Sequence, residues 1–491
     1  MLFTSLTFIF FFTAVFVLYW FVFKRNLAWQ NLLILGAGYV FYGWWDWRFL
    51  LLLLFISLAN YFIALLIQKI THLLLRKWLF LMGLAINIGT LAFFKYFNFF
   101  MEGFVNMTSS MGLHLNHFTL VIILPVGISF YIFISLSYLV DVYQHKLRAA
   151  GNLIEALLAF SFFPVILAGP IQRPVSLLPQ IQSLRIFDND LAANGLRQIL
   201  WGFFMKMVIA DNCVPYVDDI FNNYLLYQGS TLIVGALLFT VQIYADFAGY
   251  SNIAIGLGKL LGFRIIQNFA FPYFSRDIKS FWKKWNISLT TWFRDYVFLP
   301  IAYNVSGKIK ADRFFHIKTD YIIYIAGISV TWVLTGLWHG ANYTFIIWGL
   351  IHGCALILYH LTSKSRKILL KRFDLSNDSL AIVIPESIFT MGIVIGSWIF
   401  FRAVTLTDAL GYIGEIFSAS TFSLPKSVPN DILILTILFL VIEWMGRKEE
   451  YAIAGFALKW PKTVRWAFYY GIVAAVFYFS GTGQKFIYFQ F

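Results

Sequence analysis

The chain has 491 residues, of which 60% are hydrophobic, 20% aromatic and only 12% charged, whereas soluble domains carry roughly 25% charged residues. That balance excludes a soluble globular protein. A β-barrel, a disordered chain and a disulfide scaffold are excluded in turn by unbroken apolar runs, by aromatic content, and by a cysteine complement of Cys213 and Cys354 alone. The fold predicted is all-α: a polytopic transmembrane helical bundle of about eleven to thirteen spans with re-entrant and interfacial helices, forming one integral membrane domain over residues 1–491.

In chain order the apolar runs read as spans near 3–23, 27–43, 49–68, 78–94, 120–140, 198–212, 231–247, 319–337, 341–361, 380–401, 430–445 and 464–480. The first lacks a basic n-region and a small-residue cleavage site, so it reads as a retained helix. The run 153–170 holds Pro164, Gly169 and Pro170. A helix cannot pass those positions unbroken, so this run is predicted to be re-entrant, with its broken backbone buried in protein.

That choice fixes the topology. With both termini outside, the inner loops hold 31 of the 37 Lys and Arg residues, leaving Arg48, Lys95, Lys206, Arg402, Lys426 and Lys485 outside, as the positive-inside rule asks. The net charge of +14 is therefore assigned to anionic inner-leaflet lipid and an anionic cytoplasmic substrate, and nucleic acid is set aside.

The longest non-spanning stretch, 248–318, is too aromatic for an ordinary loop. Phe274, Ile278, Phe281, Trp285, Leu289, Trp292 and Tyr296 recur at spacings of three and four, while Lys279, Lys283, Asn286, Thr290 and Arg294 recur on another face. The pattern predicts an amphipathic helix that lies at the membrane interface or dips into the bundle.

His339 lies between two strongly apolar segments, beside Gly336 and Gly340. An ionisable side chain at membrane depth marks a functional site unless a neighbouring helix merely hydrogen-bonds it. His352, thirteen residues on, carries the same two readings. No HExxH motif, Cys/His cluster or phosphate-binding Gly-rich loop occurs, so no metal or nucleotide cofactor is assigned.

Four segments carry a resemblance. PVGISFYIFISLSYLVDVYQ (125–144), VQIYADFAGYSNIAIGLGKLLGFRIIQNF (241–269), SFWKKWNISLTTWFRDYVFLPI (280–301) and LWHGANYTFIIWGLIHG (337–353) resemble, in order, the membrane-bound O-acyltransferase (MBOAT) family in its bacterial alginate O-acetyltransferase branch. The resemblance implies that His339 is the family histidine and Asn286 the second family position. Many bacterial members carry His at that second position. Asn cannot act as a base, so His339 alone would be the general base and Asn286 would orient a carbonyl or substrate.

The chemistry implied is O-acyl transfer, in which an imidazole takes the proton of a hydroxyl attacking a thioester. Acetyl-CoA is the implied donor, docking on the basic stretch of Lys279, Lys283, Lys284 and Arg294, residues that anionic lipid would also attract. His352, Trp338 and Asp295 are further channel candidates. The terminal FIYFQF resembles a C-terminal Tyr motif of bacterial acyl-transfer systems, which makes Tyr488 a candidate acyl relay; an aromatic interfacial anchor is the alternative. The expected setting is the bacterial inner membrane. The expected partners are an esterase-like periplasmic protein and a polysaccharide acceptor of the alginate, peptidoglycan or another exopolysaccharide class. D-alanyl transfer to teichoic acid and a polytopic transporter are the alternatives.

Overall fold

The computed structural model describes residues 1–112, 120–309, 311–314, 317–426, 430–455, 457–481 and 486. Apolar runs of this length must satisfy their backbone groups internally, and they coil. Among the described residues the only strand pairing is the short antiparallel ladder of Arg313–Phe314 with Ile317–Lys318.

The chain divides into two compact units, residues 1–199 with 253–266, and residues 200–252 with 267–491. The first begins with α1 (Leu6–Val17), α2 (Leu27–Gly43), α3 (Arg48–Lys69), α4 (Leu73–Leu91) and α5 (Phe97–Ser110). It continues with α6 (Ile128–Tyr143), α7 (Leu153–Ser161), α8 (Pro174–Ile181) and most of α9 (Asn189–Phe203). The second contains α10 (Asp211–Asn222), most of α11 (Gly229–Leu260), α12 (Ile278–Trp282), α13 (Ile287–Phe293) and α14 (Leu299–Lys308). It ends with α15 (Thr319–His339), α16 (Tyr343–Arg372), α17 (Leu380–Arg402), α18 (Leu406–Ile416), α19 (Asn430–Gly446) and α20 (Lys462–Phe479).

Each predicted span is helical over most of its length, and the protein is an all-α, multi-pass membrane bundle. Among the described residues six helices are long and apolar enough to cross: α3, the rod Leu73–Ser110 that contains α4 and α5, α11, α15, α16 and α17. The others are shorter or interrupted. The run 198–212 is split between the end of α9, a π-helical segment Phe204–Ala210 and the start of α10, and the run 120–140 becomes helical only at Ile128, after Gly127.

In the first unit, α7 stops at Ser161 and residues 162–172 continue without helix, all of them buried. This is the broken, protein-covered backbone that Pro164, Gly169 and Pro170 predict. Gly127 lets α6 begin against it: its φ is 75°, and a Cβ there would stand 2.6 Å from the Ile166 carbonyl oxygen. Arg185 is buried. Its guanidinium donates to Asn31 Oδ1 at 2.6 Å and to the Ile181 carbonyl at 3.3 Å, and lies 4.9 Å over the Phe263 ring.

The second unit buries a charge as well. Lys206 is buried, its ammonium 2.6 Å from Asp211 Oδ1 and 2.8 Å from Asp246 Oδ1. It belongs to the π-helical segment, whose residues are nearly all buried, so the side chain is directed into protein. Glu443 of α19 is buried as well, accepting from Trp201 Nε1 at 3.1 Å and the Tyr244 hydroxyl at 2.5 Å.

Candidate active site

The site is built on the α15–α16 hairpin. Two glycines let these helices approach closely: a Cβ on Gly336 would stand 2.4 Å from the Phe345 carbonyl oxygen, and one on Gly349 would stand 2.3 Å from that of Trp332. Backbone cannot retreat from such a contact as a flexible side chain can. Gly349→Ala is therefore expected to cost about 1–3 kcal/mol, seen as a lowered melting temperature of the purified protein. An unchanged melting temperature would contradict this packing.

The hairpin turn holds His339 as the last residue of α15. Asn342 then caps α16, accepting from the Thr344 amide at 3.1 Å and donating to the Val404 carbonyl at 2.9 Å. His339 is 5% exposed. Rings surround its imidazole edge-on, with centroid distances of 4.8 Å to Trp338, 4.8 Å to Trp348 and 5.0 Å to Phe401. Helices α15, α16 and α17 thus enclose one imidazole in an aromatic cage, where a polar interaction is screened less than in water.

His352, one of the channel candidates, lies on α16 and is fully buried. Trp282 Nε1 donates to its Nδ1 at 3.3 Å, which leaves the ring proton on Nε2, 2.9 Å from Ser397 Oγ. Ser397 in turn donates to the Val394 carbonyl at 2.7 Å. Both ring nitrogens are engaged, and the residue ties α12, α16 and α17 together.

The single amphipathic helix predicted across 274–296 is broken. Asp277 and Ser280 form a capping box that starts α12, and α13 starts afresh after Asn286, whose φ of 43° and ψ of 53° are left-handed. Asn tolerates that conformation better than most residues. Asn268 fixes the break: its carbonyl accepts from the Ile287 amide at 2.9 Å, and its Oδ1 accepts from Ser288 N and Oγ at 3.2 and 2.8 Å. The aromatic side packs inward, with Phe281, Trp285, Leu289 and Trp292 all buried.

Asn286 is itself buried, at 2% exposure. Its neighbour Trp285 meets Trp398 at 5.0 Å, Trp398 meets Trp348 at 5.9 Å, and Trp348 meets His339. The Asn286 turn and His339 are linked through these rings.

Lys279, Lys283 and Arg294 come together on the lining of a cavity of about 310 Å³, with α15 contributing Thr331, Trp332 and Thr335. Lys279 and Lys283 are exposed and have no ion-pair partner among the described residues. Arg294 pairs with Asp295, the Nε to Oδ1 distance being 2.7 Å, and this contact raises the guanidinium pKa above its ordinary value. Lys284 is half-buried and absent from the described lining; burial pulls its ammonium below the usual lysine range, with Asp277 opposing. Trp338 flanks His339. Tyr488 lies outside the described residues; Phe486, two positions earlier, is buried against Tyr250 at 4.9 Å and Phe247 at 5.9 Å.

Sequence reading missed Thr291, Thr331 and Thr335 of the lining and the buried partners of Lys206, Asp246 and Glu443. Thr331, Thr335 and His339 follow at intervals of four on α15, a helical repeat that was available as a signal.

The caged imidazole of His339 and the lining of the basic cavity share α15, and known proteins specify the class. The chain is 34% identical over 462 residues to the probable alginate O-acetylase AlgI of Pseudomonas putida, covering 92% of this chain and 88% of that protein. It is 29% identical over 544 residues to the peptidoglycan O-acetyltransferase of Helicobacter pylori, covering 100% and 98%. It is 30% identical over 248 residues to the teichoic acid D-alanyltransferase of Bacillus subtilis, covering 49% and 60%. No family model matches the chain. The chain is an acyltransferase, and it belongs to the membrane-bound O-acyltransferase family, in the branch of the bacterial polysaccharide O-acetyltransferases.

Proposed function

We propose that this acyltransferase takes an acetyl group from acetyl-CoA at the cytoplasmic face of the inner membrane and passes it outward for O-acetylation of an envelope polysaccharide. The observation that carries the reading is the cavity. Lys279, Lys283 and Arg294 lie on its lining together with Thr331 and Thr335 of α15, and His339 is the next residue of that four-residue repeat. The cations suit a phosphate-bearing donor, and the α15 side leads toward the caged imidazole. The names of the relatives support alginate or peptidoglycan as the acceptor class.

In the proposed sequence His339 accepts the phenol proton of Tyr488, and the phenolate oxygen attacks the thioester carbonyl. The C–S bond breaks, the thiolate takes the proton back from the imidazolium, and the acetyl group rests on Tyr488 as an ester. Asn286 orients donor or acceptor by hydrogen bonds. A periplasmic esterase-like partner then moves the acetyl group to glycan. The test is transfer of radiolabelled acetyl from acetyl-CoA onto the purified protein. Label is expected on the wild type and absent from Tyr488→Phe. Equal label on both would remove the relay, and no label on either would remove acetyl-CoA as sole donor.

A further inference from the structure

In the first unit, helices α1 and α2 stand apart along one side and leave a groove of about 410 Å³ whose lining carries no charged side chain. Both walls are fastened on their other sides. The π-helical continuation of α1, Leu18–Val22, is held where the Tyr19 hydroxyl donates to the Leu261 carbonyl at 3.1 Å and Trp20 Nε1 to that of Leu260 at 2.9 Å. On α2, Asn31 Nδ2 donates to the Ile181 carbonyl at 3.0 Å, and Gly38 runs so close to Ser161 that a Cβ would stand 2.4 Å from its carbonyl oxygen. Neither helix can swing shut without breaking these contacts. The groove face of α2 is open: beyond its own stretch of backbone, no atom lies within 4 Å of where a Gly36 Cβ would stand. An apolar space of this size does not hold ordered water, and in a membrane bundle the medium that reaches it is lipid.

Length and charge select the lipid. On α2 the lining runs from Trp29 to Val40, about 17 Å of helix at roughly 1.5 Å per residue, which is close to one leaflet of a hydrocarbon core roughly 30 Å thick. One end of the groove is marked as the headgroup end. There Phe23 and Trp29 stack at 5.7 Å, and Trp29 is 52% exposed, the placement of an aromatic ring at headgroup depth. The turn that joins the two helices at this end carries Lys24 and Arg25, both exposed and without an ion-pair partner among the described residues. Two free cations at the mouth of an apolar groove complement an anionic headgroup above an acyl chain. We propose that the α1–α2 groove is a binding site for one anionic glycerophospholipid, with an acyl chain along Gly36 and its phosphate and headgroup against Lys24 and Arg25.

The experiment is native mass spectrometry of the full-length protein in detergent, titrated with phosphatidylglycerol or with phosphatidylcholine of the same acyl chains, so that stoichiometry and Kd are read together. The wild type is expected to retain one phosphatidylglycerol, bound about 5- to 30-fold more tightly than phosphatidylcholine, roughly fivefold for each cation near the headgroup. Lys24→Gln with Arg25→Gln should erase that preference and leave the Kd for phosphatidylcholine unchanged. Gly36→Leu fills the groove from an open position and should weaken both lipids about tenfold. Val40→Trp narrows the far end and should act in the same direction, so the outcome does not hang on the folding of one variant. A melting temperature without added lipid equal to that of the wild type is expected for all of these proteins. Equal affinity of the wild type for the two lipids would overturn the headgroup assignment, and so would competition by inorganic phosphate alone. Unchanged lipid affinity in both filling variants would overturn the groove. A wild-type dimer that Gly36→Leu converts to monomer, with lipid binding unaltered, would make the groove an interface between copies and overturn the lipid site.

Discussion

Replacing His339 by alanine is expected to lower the rate of acyl transfer by about 10²–10⁴-fold, the contribution of a positioned general base, with the protein still folded. The cage explains why the two effects separate. Trp338, Trp348 and Phe401 meet the imidazole through ring contacts, so the neighbouring side chains also pack on one another: Trp348 meets Phe401 at 5.5 Å and Trp398 at 5.9 Å. His339→Gln sharpens the test, because glutamine retains hydrogen-bonding capacity but cannot take a proton at neutral pH. A base predicts the same large loss in both variants, measured as single-turnover transfer beside a melting curve. A glutamine variant within tenfold of wild type would mean that His339 only orients its neighbours.

How far this site could be read beforehand depends on whether the deciding interaction is local. His339 was legible because an ionisable residue flanked by glycines inside an apolar run violates the pattern around it. The helices were legible because, at roughly 20 residues, apolarity leaves the backbone no other way to satisfy itself in a membrane. The break before Asn286 was not. The spacing of three and four that links Phe281, Trp285, Leu289 and Trp292 persists across it, because helix resumes on the far side and the same residues face inward. What ends the helix is Asn268, eighteen positions earlier, accepting from Ile287 and Ser288. The backbone bonds of the cavity threonines were hidden for a related reason. On paper Thr331 and Thr335 read as two small residues in an apolar span, and only the backbone bonds at Gly327 and Thr331 show where their protons go.

The same distinction between local and distant partners sets the largest stability effect. Lys206 sits near the end of an apolar run, and nothing within that run reveals Asp246, forty positions later, as the carboxylate 2.8 Å from its ammonium. Its side chain is 9% exposed and that of Asp246 is 4% exposed, so water screens the pair weakly. Lys206→Met removes the cation that two carboxylates share and keeps the aliphatic length. The expected cost is about 3–5 kcal/mol, the range for breaking a buried pair from one side, because the remaining charge stays in a poor solvent. Lys206→Met combined with Asp246→Asn should recover part of that loss, since the second change removes one of the two carboxylates left facing the methionine. The check is the melting temperature of the three proteins in one detergent, in the order wild type, double variant, single variant. A single variant as stable as the wild type would mean that Asp211 and Asp246 are neutral without the lysine, and that the π-helical segment Phe204–Ala210 is held by its apolar contacts alone.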